Sequence, residues 1–156
     1  MSIETIIERI NETLKAGGGE LSQPAPRRIN VKVERSHLIE TLRFLKDQLG
    51  FSHLATITGL DLGENFEVLY HLANGEAVVT VRVLTPRAEP RIPTVTPVIP
   101  GAILYERELQ DMFGLVVEGI PDPRPLVLPD DWPQGQYPLR KDWKHVRAAE
   151  VIPGGE

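Results

Sequence analysis

The densest cluster of reactive side chains in this sequence is LYERELQDMFG, residues 104–114. Between bulky apolar neighbours it places Glu106, Arg107, Glu108 and Asp111. Three kinds of chemistry use such a set. Paired carboxylates can act as general acid and general base if a pocket holds them in opposed roles. Oxygen ligands can bind a hard cation if they converge from several directions. Charges rimmed by apolar residues can dock one protein on another.

The element that carries these residues narrows the choice in part. Pro100-Gly101 before the motif and Gly114 after it predict a short helix over 102–113. Tyr105, Leu109, Met112 and Phe113 then fall at i, i+4, i+7 and i+8, which makes one apolar face. Arg107 and Asp111, four apart, are expected to pair along the other side. Glu106 and Gln110 form another short row, with Glu108 between the faces. An arginine beside carboxylates keeps them ionised, which suits an ion-pair network better than proton shuttling. A single helix cannot supply converging metal ligands. A docking surface, a solvated helix face and acid/base catalysis by Glu106, Glu108 or Asp111 all stay open on the residues alone.

Composition closes several other routes. The chain has 156 residues and no cysteine, which excludes disulfides, thiolate zinc sites, cysteine nucleophiles and clusters held by four cysteines. His37, His53, His71 and His145 are scattered, without partners at helical ligand spacing. His71 lies in a strand pattern and reads as a satisfied sheet residue. A net charge of −5 argues against a general nucleic-acid binder. No apolar run approaches the ~20 residues that span a bilayer, and no secretory leader opens the sequence. The expectation is a cytoplasmic chain that meets a membrane only through partners.

The elements upstream give a fold class. Residues 2–16 predict a helix with Ser2 as cap and a stripe of Ile3, Ile6, Ile7, Ile10 and Leu14, ended by Gly17-Gly18-Gly19 as a flexible stop. RRINVKV (27–33) alternates as a half-buried strand. Ser36 is expected to cap a second helix with the stripe Leu38, Leu42, Leu45 and Leu49, stopped by Gly50. Strand patterns follow at 51–62, 65–72 and 77–84. Asn74-Gly75 between the last two predicts a tight hairpin built on positive φ. This order predicts an α+β fold, a two-layer domain with helices on one face of a mixed sheet. After it come the short charged helix and a proline-rich extended C-terminal arm.

All but two of the 14 prolines lie from Pro86 onward. They make 86–100 extended and keep 121–138 out of helices and central strands. The arm nevertheless carries Leu126, Val127, Leu128, Trp132, Tyr137 and Leu139, which a disordered linker would lack. An apolar segment that cannot fold on itself needs a covering surface, either its own sheet domain or a partner. Its length and rigidity favour a partner in part; residues 120–156 are expected to be mobile, or held by crystal or oligomer contacts, when the chain is alone, and an ordered arm packed on its own domain would weaken the case for a partner.

The stretch YERELQDMFGLVVEGIPDPRPLVLPDDWPQGQYPLRKDW (105–143) resembles the signature of the 30 kDa subunit family of respiratory complex I. That family includes the corresponding subunits of bacterial NADH-quinone oxidoreductases and the related subunits or domains of membrane-bound energy-converting nickel–iron hydrogenases. The matching residues are Glu106, Arg107, Glu108, Asp111, Met112, Phe113 and Gly114, then Gly119, Pro121, Asp122 and Arg124. Leu128-Pro129-Asp130-Asp131-Trp132 and Pro138-Leu139-Arg140-Lys141-Asp142 complete the match, and IPTVTPVIPGA (92–102) resembles the family's approach to it. The chain departs from the respiratory pattern at Ile120, where histidine is usual, at Pro125, which replaces the second of two arginines, and in lacking a tryptophan shortly before Tyr105. Its wording is closer to the domain in formate hydrogenlyase and other energy-converting hydrogenases, and the chain is short, which tilts the resemblance toward a hydrogenase-type or ferredoxin-linked complex while leaving quinone chemistry open.

The resemblance implies a non-redox structural and assembly subunit in the hydrophilic arm of a complex-I-like membrane-bound oxidoreductase. It implies no cofactor on this chain, with iron–sulfur clusters and a quinone site or nickel–iron centre on partner subunits. The implied partners are the large, hydrogenase-like catalytic subunit and the small iron–sulfur subunit, on the cytoplasmic face of the membrane. Residues 1–115 would be the α+β domain and 116–156 the partner-binding arm. Glu106, Arg107, Glu108, Asp111, Phe113, Gly114, Pro121, Arg124, Leu128, Asp131, Trp132, Leu139, Arg140, Lys141 and Asp142 would carry the signature and the interface. A stand-alone adaptor and an acid/base enzyme are the alternatives.

Overall fold

The structure is a computed structural model and describes residues 1–145. Helix α1 (Ile3–Gly17) begins where the Ser2 hydroxyl accepts the Thr5 N–H at 3.3 Å, and it buries Ile6, Ile10 and Leu14. The glycines after it are more than a flexible stop. Gly18 caps the helix in the left-handed region, and a Cβ on Gly19 would stand 2.6 Å from the Leu14 side chain.

Strand β1 (Glu20–Ala25) was not legible in the sequence. It is largely exposed, contains Pro24 and pairs antiparallel to β2 (Arg28–Lys32) at the sheet edge. An edge strand has one free side and can accept a proline, so its composition carries little strand signal. Helix α2 (Leu38–Leu49) buries Leu38, Leu42, Leu45 and Leu49. Ser36 does not cap it. A 3₁₀ turn over Arg35–His37 leads straight into the helix, and no side chain caps its start.

Strands β3 (His53–Asp61), β4 (Asn65–Ala73) and β5 (Val78–Pro86) complete a five-stranded mixed sheet in the order β1-β2-β5-β4-β3. Only β2 and β5 run parallel, because α2, β3 and β4 intervene between them. The β4–β5 turn forms as expected but by another mechanism. Neither Asn74 nor Gly75 has positive φ. The Asn74 carboxamide oxygen instead accepts the N–H groups of Glu76 and Ala77, at 2.8 and 2.9 Å.

Along β5, Val79, Val81, Val83 and Thr85 are buried while their neighbours are half-buried, so one face of the sheet carries the core. Strand β6 (Arg91–Pro93), helix α3 (Ile103–Phe113) and strand β7 (Val116–Glu118) follow, with β6 and β7 paired in parallel. The stretch 86–100 is therefore only partly an extended crossing. It holds a strand and ends in a 3₁₀ turn at Pro100–Ala102. Among the described residues no helix is long and apolar enough to cross a membrane.

Candidate functional site

Helix α3 lies against β3 through its apolar face. Leu109 and Phe113 are buried, and both close on Gly59, where a Cβ would stand 2.5 Å from the Phe113 ring. Tyr105 donates its hydroxyl hydrogen to the Ala55 carbonyl at 3.2 Å. The helix ends at Gly114, in the left-handed region at φ 69°, with its N–H on the Gln110 carbonyl.

The charged residues of α3 take four different places. Glu106 does not share a surface row with Gln110. It is fully buried, accepting the Thr94 hydroxyl at 2.7 Å and the Val95 N–H at 2.6 Å. Glu108 is exposed. Arg107 and Asp111 do not pair with each other. Arg107 donates to the Arg124 and Pro125 carbonyls at 2.8 and 2.9 Å and approaches Asp122 at 3.4 Å. One oxygen of Asp111 accepts three successive N–H groups, those of Leu126, Val127 and Leu128, at 2.9, 2.8 and 3.2 Å. The three acids named for acid/base work are thus drawn into separate environments.

A second set of ties holds residues 137–142. The Leu139 N–H meets the Met112 carbonyl at 3.1 Å, and Arg140 Nε donates to the Phe113 carbonyl at 2.7 Å. The Arg140 guanidinium lies over Phe66 and Tyr137, at 5.1 and 4.5 Å from the ring centroids. Arg87 covers Phe66 at 5.0 Å and pairs with Asp61 and Asp142. Asp61 also accepts the Lys141 N–H at 2.9 Å and the Gly63 N–H at 2.9 Å. Burial would raise the Asp61 carboxyl, but the Arg87 bond and the two N–H donors outweigh it and hold its pKa at about 2.

The arm is therefore tied to its own domain, one of the two covering surfaces expected for it. Residues 124–128 and 139–142 are held by hydrogen bonds and ion pairs to side chains and main chain of the body. The remainder of the expected mobile segment, 146–156, lies outside the described residues. Many of these ties engage the arm's backbone, and several of its apolar side chains turn outward. Leu126 is 42% exposed, Val127 50% and Leu139 52%. Leu128 is half-buried, Pro121, Arg124, Asp131, Lys141 and Asp142 are exposed, and Asp122 is bound by Arg124. The Arg124 bond, reinforced by Arg107, drives the Asp122 carboxyl well below its usual range. Trp132 and Trp143 lie 6.0 Å apart, and both indole N–H groups donate to Gln136, at 2.8 and 3.0 Å.

Sequence reasoning missed Asp61, Phe66, Arg87 and Thr94. Each lies in or beside an ordinary strand pattern, and no local spacing couples Asp61 to Lys141, 80 positions away. Among the described residues no group of three or more histidines or acids could hold a metal ion.

Comparison with known proteins follows the same residues. The model of the family described as respiratory-chain NADH dehydrogenase, 30 kDa subunit, matches residues 31–148. An F(420)H(2) dehydrogenase subunit of Methanosarcina mazei is 34% identical over 148 residues, covering 92% of this chain and 93% of that protein. Formate hydrogenlyase subunit 5 of Escherichia coli is 42% identical over 120 residues, covering 73% of this chain but only 21% of that protein. Among solved structures, a chain of the membrane-bound sulfane sulfur reductase, an archaeal respiratory membrane complex, superposes with a TM-score of 0.80 at 32% identity. It covers 90% of this chain and 85% of its own.

Proposed function

The chain belongs to the 30 kDa subunit family of respiratory-chain NADH dehydrogenase, and from this we propose that it is a non-redox structural and assembly subunit of a complex-I-like membrane-bound oxidoreductase. Residues 1–115 form the scaffold and 116–156 the partner-binding arm. The arm docks on the large, hydrogenase-like catalytic subunit, with the small iron–sulfur subunit alongside. Iron–sulfur clusters and the quinone site or nickel–iron centre belong to those partners. The chain sits peripherally on the cytoplasmic face and meets the membrane through them.

The observation that carries this reading is the two-sided arm. Its backbone is bound to the body through Arg107, Asp111 and Asp61, while Leu126, Val127 and Leu139 face outward. Exposed apolar side chains on a fixed backbone cost little ordering entropy on docking, which favours them as anchors. Arg124, Asp131 and Lys141 supply charges beside them, and Trp132 adds a half-buried aromatic.

The test is affinity purification of the tagged chain from its native host, with mass-spectrometric identification of what accompanies it. Recovery of a large hydrogenase-like subunit and an iron–sulfur subunit supports the proposal. Recovery of the chain alone, or with unrelated proteins, replaces it with the adaptor reading. The identity of the large subunit also decides between quinone and hydrogen chemistry.

A further inference from the structure

Four acids are buried in the described chain: Asp61, Glu67, Glu106 and Asp111. Asp61 is matched by Arg87, and Glu67 by a two-point bond from Arg82 at 2.9 and 3.0 Å. Asp111 gathers three backbone N–H groups. Glu106 is the most deeply buried of the four, and it meets only two neutral donors, the Thr94 hydroxyl and the Val95 N–H.

The groups around it offer no compensating charge. From β4 the facing titratable group is Tyr70, whose hydroxyl is fully buried without a hydrogen-bond partner and feels the Glu106 carboxyl electrostatically. From the 94–99 loop come Thr94, Thr96 and the Val95 N–H. Lys46 of α2 reaches the same loop, but its ammonium is bound to the Val98 carbonyl at 2.7 Å. On its own helix Arg107 and Asp111 turn to the arm, and Glu108 is exposed.

We infer that Glu106 is a proton-holding lock in the folded chain, its neutral acid fastening the 94–96 turn onto α3. An ionised carboxylate in such a place would lose its hydration with no cation in return. Burial pushes the Glu106 carboxyl above its ordinary range, against the two donors that favour the ionised form. As an acid it keeps the Val95 N–H on one oxygen and donates from the other to the Thr94 hydroxyl. Thr94 in turn donates to the Thr96 hydroxyl, 2.8 Å away. Thr96 is half-buried, so this chain of hydroxyls gives the proton a path to solvent. The lock is thus sensitive to alkali: the folded acid binds its proton more tightly than the unfolded one. Its stabilising contribution is complete below the ordinary carboxyl range and is lost as pH rises through the raised folded value.

The inference concerns the isolated chain and stands apart from the docking proposal. Its first test is infrared spectroscopy of the intact chain labelled with ¹³C-glutamate. A protonated carboxyl stretch is expected to persist in the wild type at a pH where the other glutamates have ionised, and to be absent there in Glu106→Gln. Its second test is urea unfolding from about pH 5 to about pH 7. There the unfolding constant of the wild type is expected to rise with pH more steeply than that of Glu106→Gln, with about tenfold per unit as the limit for one proton. A wild-type spectrum in which no glutamate stays protonated beyond the others overturns the inference, whether or not the variant folds. Parallel pH profiles of the two proteins overturn it as well.

Discussion

Arg107 and Asp111 stand one helical turn apart and do not pair; each binds the backbone of the arm instead. Arg107 takes carbonyls at 124 and 125, and Asp111 takes N–H groups at 126–128. A donor and an acceptor at this spacing read five successive residues of the arm, which bends so that three successive N–H groups converge on one carboxylate oxygen. An exposed pair along the helix would contribute only about 0.3–0.5 kcal/mol. Bonds from a charged side chain to main-chain groups contribute about 1.5–3 kcal/mol each.

It follows that Arg107→Ala acts on assembly. Losing two charge-assisted bonds frees the arm's first half, so the recovered amount of intact complex falls severalfold. Turnover per assembled complex is expected to stay within about twofold of wild type, since the proposed role gives Arg107 no reacting group to touch. Quantifying the component chains and the activity in the same purified fraction checks both statements. An intact mutant complex of normal composition and abolished turnover would refute this assignment.

Asp61 gives the second half of the arm a pH dependence. Its folded pKa is depressed to about 2, from an ordinary carboxylate value of 3.8. A depressed value means that the stabilisation is present above the unfolded pKa and is lost as pH falls through the folded one. The difference corresponds to about 2 kcal/mol near neutrality. Asp61→Asn is expected to lose that amount at pH 7 and to have closed most of the gap to wild type by about pH 2. Hydrogen exchange at the Lys141 amide across this range is the measurement, and a pH-independent difference between the two proteins would contradict the expectation.

Gly114 combines two demands that no other residue meets together. Its φ is +69°, and a Cβ built there would stand 2.5 Å from the Tyr137 ring and 2.8 Å from the Arg140 guanidinium. The left-handed conformation alone costs an L-residue about 1–2 kcal/mol. The Tyr137 contact must also open, which detaches Arg140 from Phe66. Gly114→Ala is therefore expected to lower the melting temperature by about 4–8 °C and to raise amide exchange at 139–141. Gly101→Ala serves as the control, since nothing lies within 4 Å of a Cβ there.

These relationships mark where sequence reasoning reached and where it stopped. The stripes Ile6-Ile10-Leu14 and Leu38-Leu42-Leu45-Leu49, and the alternation of Val79, Val81 and Val83, set helices and strands correctly because burial imposes a short period. The charged motif was also located correctly, on a helix of the expected length. The partners of its charges were not legible. Glu106 binds residues 94 and 95, Asp111 residues 126–128, and Asp61 residue 141, contacts fixed by chain crossing rather than spacing. The i, i+4 rule for Arg107 and Asp111 failed because unpaired backbone groups of the arm compete for both side chains. β1 escaped notice because an edge strand with one solvated side needs neither alternation nor the absence of proline.

The outward face of the arm yields the sharpest test of docking. Val127 and Leu139 are half-exposed, and each has its N–H bound to the body, to Asp111 and to the Met112 carbonyl respectively. Replacing both by aspartate leaves those backbone bonds in place and removes little buried area. Exposed substitutions of this kind change stability by about 0.5 kcal/mol or less. The double variant is therefore expected to match wild type in urea unfolding of the isolated chain. In the native host it should fail to recover the large subunit on affinity purification, because two charges would be desolvated against an apolar surface. Arg107→Ala differs in both readouts, since it loosens the arm in the isolated chain before any partner is present. If the aspartate variant copurifies the large subunit at wild-type yield, the apolar face of the arm is not the docking surface. The contact would then have to lie elsewhere on the chain.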